Sequence, residues 1–185
     1  FLDISFKYMP DNDGIDIEVL VNLNWNKLTK EQTNFLNKAI VAAQACQRKT
    51  SVLTSVTVAQ ALIESGWGKH HIGRANNYFG IKDQPTDEWK GPFVEVPTKE
   101  WSKEKGYYTV TAKFRVYPNM EASFVDHANF LVRNPRYKVC FGKDYRGFSE
   151  GLQQAGYATD PEYAKKLIAT VEKYGLQFYD LKPGQ

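Results

Sequence analysis

The apolar period of this chain changes twice. Over residues 28–65 apolar side chains recur every three or four positions, the spacing of a buried helical face. Phe35, Leu36, Ala39, Ile40, Ala42, Ala43 and Cys46 make one stripe; Val56, Ala59, Leu62 and Ile63 make a second. Over residues 79–117 the pattern fails. Pro85, Gly91, Pro92, Pro97 and Gly106 break the chain, and the pieces between them (93–96, 107–110, 113–117) are rich in β-formers. Helical spacing returns after Pro118. Helices, then short strands, then helices predict an α+β fold: a mainly helical lobe and a small β-lobe around a cleft.

Start and stop signals sharpen this order. Thr29-Lys30-Glu31-Gln32 has the form of a capping box. Gly66 and Gly68 follow the second apolar stripe as helix stops. Asn119 is placed to cap a third helix, which Asn134-Pro135 breaks, and a helix near 149–155 ends at Gly156. Asp160-Pro161 then reads as N-cap and first turn of a last helix, stopped by Gly175.

The first 27 residues read differently. Leu2, Ile4, Phe6 and Tyr8 alternate, as do Ile15, Ile17, Val19, Val21, Leu23 and Trp25, with Pro10-Asp11-Asn12-Asp13-Gly14 between them. This predicts a β-hairpin over 1–27 that extends a domain spanning 28–185. One face of such a hairpin is too apolar to stand in water. It is expected to pack on the rest of the chain, on a second copy, or on a larger assembly.

Composition excludes several classes. The 185 residues carry a net charge of +3 with no long basic run, which suits an anionic polymer but is too weak for a nucleic-acid surface. No apolar stretch approaches the ~18 residues of a membrane span. The chain begins with Phe1, so it is expected to be a processed or excised part of something longer. Cys46 and Cys140 fit no metal pattern, and Cys46 is predicted to be a buried free thiol. His70 and His71 lack a third ligand at useful spacing, so no metal and no cofactor are expected.

The chemistry-bearing segment is Ala59-Gln60-Ala61-Leu62-Ile63-Glu64-Ser65-Gly66-Trp67-Gly68. It sets a carboxylate at the end of an apolar helix. The helix dipole is negative there and disfavours an anion. Apolar surroundings act in the same direction, so both raise the pKa. A carboxylic acid still protonated near neutral pH is what a glycoside hydrolase needs as its general acid. The alternative is a solvated glutamate in a last turn.

Several motifs together resemble one family. Residues 58–68 are similar to the signature of the bacterial glucosaminidases related to the flagellar rod muramidase and autolysins, glycoside hydrolase family 73. Asn77-Tyr78-Phe79-Gly80-Ile81-Lys82, Trp89-Lys90-Gly91-Pro92, Lys113-Phe114-Arg115-Val116-Tyr117, Asn134-Pro135-Arg136-Tyr137 and Ala155-Gly156-Tyr157-Ala158-Thr159-Asp160-Pro161 also match, in the family's order, over about residues 30–175. The resemblance implies a lysozyme-like fold and cleavage after N-acetylglucosamine in the peptidoglycan glycan strand. It makes Glu64 the general acid. A second carboxylate is expected in the β-lobe: Glu100, in Pro97-Thr98-Lys99-Glu100-Trp101, with Glu95 as the other candidate. Tyr157 matches a family tyrosine near the scissile bond, where it would orient the substrate acetamido group or steady charge at the anomeric carbon.

Two routes stay open: a water activated by Glu100, or assistance from the substrate's own acetamido group. Trp67, Tyr78, Phe79, Trp89, Trp101 and Tyr137 are candidates to stack on or line the glycan groove, with core packing as the alternative. Asn76 and Asn77 are candidates to hydrogen-bond sugar hydroxyls, with turn chemistry as the alternative. Tyr78 stands where the family has mostly Leu, and the N-terminal hairpin lies outside the usual catalytic domain. That hairpin is a candidate for docking to a wall, flagellar or phage-tail structure. The implied location is the cell envelope, periplasmic or secreted, or a phage virion. A muramidase or lytic transglycosylase, and a wall-binding assembly module without catalysis, are the competing readings.

Overall fold

A computed structural model of the chain describes residues 17–70, 75–86 and 88–185. Six α-helices and one two-stranded antiparallel sheet make up the described residues: α1 Ile17–Asn26, α2 Lys30–Thr50, α3 Thr54–Ser65, β1 Phe93–Ser102, β2 Gly106–Arg115, α4 Met120–Arg133, α5 Tyr145–Gln154 and α6 Tyr163–Tyr174. Short 3₁₀ turns follow α4 (Pro135–Cys140) and α6 (Leu176–Tyr179). This is the helix, strand, helix order that the apolar period predicts.

The helix starts have local causes. At α2 the capping box closes in both directions: Gln32 N donates to Thr29 Oγ1, and Thr29 N donates to Gln32 Oε1. Asn119 accepts from Ala122 N at the head of α4, and Asp144 accepts from Gly147 N at the head of α5. The last helix starts later than predicted. Asp160 caps a local turn by accepting from Glu162 N, and α6 begins only at Tyr163.

The core sits around α3. Residues 54–62 of that helix are all buried, on every side. A helix buried all round needs neighbours all round. These are α2, α6 and the Leu176–Tyr179 turn. Leu36 and Ile40 from α2, Phe124 and Leu131 from α4, Phe148 and Leu152 from α5, and Leu167 from α6 fill the remaining space. Cys46 and Cys140 are both buried free thiols in this core, as predicted for Cys46.

The predicted N-terminal hairpin needs correction. Residues 1–16, with the first strand and the turn, lie outside the described residues. The second strand is not a strand: Ile17–Asn26 is α1. The segment's apolar residues satisfy both periods. Val21, Asn24, Trp25 and Leu28 fall on one helical stripe, and tertiary contact selects it. Trp25 Nε1 donates to Tyr174 O and Asn24 Nδ2 donates to Lys173 O, filling two of the open carbonyls at the end of α6.

The sheet is a long ribbon, in register from Phe93↔Arg115 to Ser102↔Gly106. Its base is tied down. Arg115 N and Asp83 N bond across to Ile81 O and Lys113 O, and Tyr117 N bonds to Ala75 O. Asn77 Nδ2 donates to both Ile81 O and Arg115 O. Arg115 is buried, donates Nη1 to Asp126 on α4 at 3.0 Å and Nε to Lys82 O, and stacks its guanidinium on Trp89. Beyond this base no helix among the described residues packs extensively along the ribbon.

Candidate active site

Glu64 occupies the last turn of α3, next to the buried Ser65. The helix stops because Gly66 turns left-handed (φ +55) and returns its N–H to Leu62 O. Trp67 follows, also left-handed at φ +62, and is held there by its N–H to Leu62 O and an edge contact with Tyr174. Gly68 must be glycine twice over: φ is +80, and a Cβ there would meet the Phe35 ring at 2.6 Å. The acid is therefore set on the most buried helix by a stop that the sequence encodes residue by residue.

The Glu64 side chain is open to water-sized molecules, yet protein surrounds it closely enough to displace bulk solvent. That desolvation raises its pKa above the usual carboxylate range. A hydrogen bond donated by Tyr163 Oη to Oε1, at 3.1 Å, opposes the rise. Desolvation, one of the two causes expected from sequence, thus dominates.

Tyr157 lies beside this carboxylate. It is half-buried, packed against Tyr163 (ring centroids 5.7 Å), Tyr137 (6.0 Å) and His127 (6.3 Å). Burial, then the neighbouring Tyr163 and Glu64, push its phenol well above its ordinary pKa, so it is a neutral hydroxyl across the working range. The structure therefore brings Glu64 and Tyr157 together.

The two β-lobe carboxylates fall on opposite faces of the ribbon. Glu100 pairs with Tyr108 and lies on the half-buried face with Val94, Val96, Thr98 and Val110. Glu95 pairs with Lys113 on the outer, exposed face. Alternation along one strand separates them, since 95 and 100 differ by an odd number of residues. Trp101 shares the outer face with Glu95 and is 62% exposed.

Several residues expected to bind substrate turn out to hold the protein together. Asn77 is buried, and its amide is used internally: Oδ1 accepts from Ile81 N while Nδ2 serves the two carbonyls at the ribbon base. Phe79 is buried against Phe124 and stacked on His127. Tyr137 is buried at 1% exposure, and Tyr78 is buried between Phe35 and Phe124. A small domain needs these large rings for its core. Asn76, at φ +50, donates to Tyr117 O and is half-exposed. Trp89 packs under Arg115 and edge-on to Tyr117.

Sequence reasoning missed three residues behind Glu64: Tyr163, Gln60 and His127. Gln60 Nε2 donates to Tyr163 Oη at 3.0 Å, and Gln60 Oε1 lies 2.9 Å from His127 Nε2. Gln60 carried a readable signal. It is the one amide side chain on α3, one helical turn before the acid and among apolar neighbours Val58, Ala59, Ala61 and Leu62. Among the described residues no three His, Cys, Asp or Glu side chains gather as a metal site, and no helix is long and apolar enough to cross a membrane.

Comparison with known proteins gives this arrangement a family. A family model described as glucosaminidase, mannosyl-glycoprotein endo-beta-N-acetylglucosaminidase, matches residues 40–176. The exo-glucosaminidase LytG of Bacillus subtilis is 41% identical over 157 residues, 81% of this chain and 54% of LytG. The peptidoglycan hydrolase FlgJ of Escherichia coli K12 is 36% identical over 154 residues, 80% of this chain and 48% of FlgJ. The chain thus spans about half the length of these relatives. Among solved structures, the catalytic domain of the autolysin Auto from Listeria monocytogenes superposes with a TM-score of 0.73 at 31% identity, covering 90% of this chain and 98% of that one. The mainly helical body with its small β-lobe is that fold, and the chain belongs to the glucosaminidase family.

Proposed function

We propose that this chain hydrolyses the glycan strand of peptidoglycan after N-acetylglucosamine, with Glu64 as general acid. One observation carries the reading: a helix-end carboxyl whose pKa is raised by desolvation, with a neutral tyrosine beside it. The protonated Glu64 donates to the glycosidic oxygen as the bond to the anomeric carbon breaks. Tyr157, a neutral donor, hydrogen-bonds the acetamido group or the developing charge. Glu100 is the second carboxylate of this scheme, and its position on the half-buried face supports it over Glu95. It activates water on the far side of the sugar, unless the substrate acetamido group itself attacks. The catalytic unit is residues 28–185, and the cell envelope or its exterior is the place of action.

Whether cleavage runs from chain ends is a second reading, favoured by the name of the 41% identical relative, an exo-glucosaminidase. Digestion of purified peptidoglycan by wild type, Glu64→Gln and Glu100→Gln, with mass spectrometry of borohydride-reduced fragments, tests both. Reduced N-acetylglucosamine ends that vanish in Glu64→Gln support the proposal. Anhydro-muramic acid ends, or no cleavage by the wild type, sink it. Early release of long fragments marks internal cleavage; release of only the smallest units marks the exo mode.

A further inference from the structure

We propose that His127, Gln60 and Tyr163 form a buried positioning chain that decides which oxygen of Glu64 carries the proton. The inference rests on Glu64 being the general acid.

The chain runs inward from the carboxyl. Tyr163 Oη is 3.1 Å from Glu64 Oε1, Gln60 Nε2 is 3.0 Å from Tyr163 Oη, and Gln60 Oε1 is 2.9 Å from His127 Nε2. His127 and Gln60 are fully buried, and Tyr163 is nearly so. Each link has two directions in principle, because an amide, a hydroxyl and an imidazole can each be turned round. The far end selects one. Among the described residues His127 Nδ1 has no partner, and the buried ring is stacked on Phe79 at 3.9 Å. A bare acceptor is tolerated there more readily than a bare N–H donor. The imidazole is therefore neutral, with its hydrogen on Nε2, and burial pushes its pKa down to about 3. Nε2–H donates to Gln60 Oε1, so the Gln60 amide turns its N–H₂ to Tyr163. Tyr163 Oη then accepts from Gln60, and its own proton is left for Glu64.

This has a consequence at the reacting atom. In the acid form, an oxygen that accepts from Tyr163 is the carbonyl oxygen. Oε1 takes that role and the acidic proton sits on Oε2. When Oε2–H passes to the glycosidic oxygen, that oxygen keeps the electron pair of the bond it loses to the anomeric carbon. Tyr163 keeps its own proton and bonds the new carboxylate. No member of the chain gains or loses charge, so it is a positioning device and not a proton shuttle.

The groups that face this centre are few. From α6 and the loop before it come Tyr163 and Tyr157, from the turn after α4 Tyr137, from the ribbon base Tyr117, and from α4 His127. The four phenols are raised by burial. The His70 ring lies close to Gly66 at the end of α3, and a His70→Asn control is run beside the other variants.

The test uses Tyr163→Phe, Gln60→Met and the double variant. Each is followed by kcat and KM against pH on a soluble peptidoglycan fragment, and by carbon-13 NMR titration of the Glu64 carboxyl. Loss of a hydrogen bond to the carboxylate moves the Glu64 titration and the alkaline limb of the rate to higher pH. The shift is larger for Tyr163→Phe than for Gln60→Met. Below the limb kcat falls about tenfold in Tyr163→Phe and about threefold in Gln60→Met, with KM unchanged. The double variant matches Tyr163→Phe alone, because the links act in series. A Gln60→Met profile superimposable on wild type overturns the chain. Nitrogen-15 NMR of His127 in the wild type covers the case in which a variant does not fold: neutral Nε2–H from pH 5 to 8 is expected, and a charged ring or an Nδ1–H tautomer overturns the proposal. The carboxyl titration needs no activity. A Glu64→Gln enzyme that still cleaves would therefore sink the acid assignment separately from the chain.

Discussion

The two candidate carboxylates stand on parts of the molecule built in opposite ways. Glu64 ends a helix whose residues 54–62 are all buried, among packed rings and a chain of hydrogen bonds. Glu100 sits toward the tip of a ribbon that is tied at its base and, among the described residues, has no helix packed extensively along it. Local stability follows packing, so the first group is held and the second is free to move with its ribbon. A general acid needs a fixed aim and a tuned pKa. In the proposed reaction a group that meets substrate from the far side gains from moving, since a polymer strand would have to enter between the two. Amide hydrogen exchange checks the contrast: the amides of α3 are expected to exchange last and those of residues 96–106 first. Equal protection would erase the comparison.

The largest expected effect is on the fixed side. Glu64→Gln removes the acidic proton and is expected to lower kcat/KM by ~10³-fold, within the usual range for a general acid. Thermal stability should not fall, because a neutral amide replaces a group that desolvation already disfavours as an anion. Retained activity would end the acid assignment.

Next is the ribbon base. Arg115→Met removes the buried cation beside Asp126, which among the described residues keeps only the Tyr117 hydroxyl and the more distant Arg133, and removes the donor to Lys82 O. The expected loss is about 3 kcal/mol, at the low end for breaking a buried pair, or roughly 6–12 °C in Tm for a domain of this size. Tyr107→Ala at the tip, where the ring is 81% exposed, should stay within ~0.5 kcal/mol of wild type. Equal losses at base and tip would mean that the ribbon is packed along its length after all.

The faces of the ribbon give a smaller and sharper test. Glu100→Gln is expected to reduce kcat by about tenfold or more, as loss of a second general catalyst does. Glu95→Gln, opposite Lys113 on the outer face, should leave kcat at the wild-type value. If instead Glu95 matters and Glu100 does not, the ribbon presents its other face to the glycan.

These regions also differ in how well the sequence announced them. The α2 capping box, the Gly66 stop after Glu64 and the Asn119 cap of α4 each rest on neighbours within a few residues, and local chemistry of that kind is visible in a string. The odd spacing of 95 and 100 was legible in the same way, once a continuous strand is assumed. The α1 segment was not, because its apolar residues satisfy two periods and only the end of α6, nearly 150 positions away, decides between them. Asn77 was left between two readings for a similar reason. A loop asparagine reads as turn or ligand, and only the ribbon base shows that its amide is fully engaged. The Gln60–Tyr163 and Gln60–His127 contacts join α3 to two other helices, so spacing could flag Gln60 as odd but could not name its partners.

The smallest effect concerns how pH acts on the body through the two ends of α3. At its start, Ser55 N and Ser55 Oγ both donate to the Asp180 carboxylate, at 2.7 and 2.6 Å. Burial pushes the Asp180 pKa up to about 6, against those two bonds, which pull it down. A carboxyl whose pKa is higher folded than unfolded favours the fold when protonated. That contribution is complete below the ordinary aspartate value of 3.8 and is lost as pH rises through about 6. Glu64, at the other end, is raised too and acts with the same sign. Asp180→Asn keeps the shape and the acceptor for Ser55 N but does not titrate. Its Tm should therefore change less between pH 4 and 7 than that of wild type, and Asp180→Asn with Glu64→Gln should be flatter still. Parallel Tm curves for all three proteins would show that neither carboxyl is displaced by its burial. The fixed side of the site would then lose the property that separates it from the ribbon.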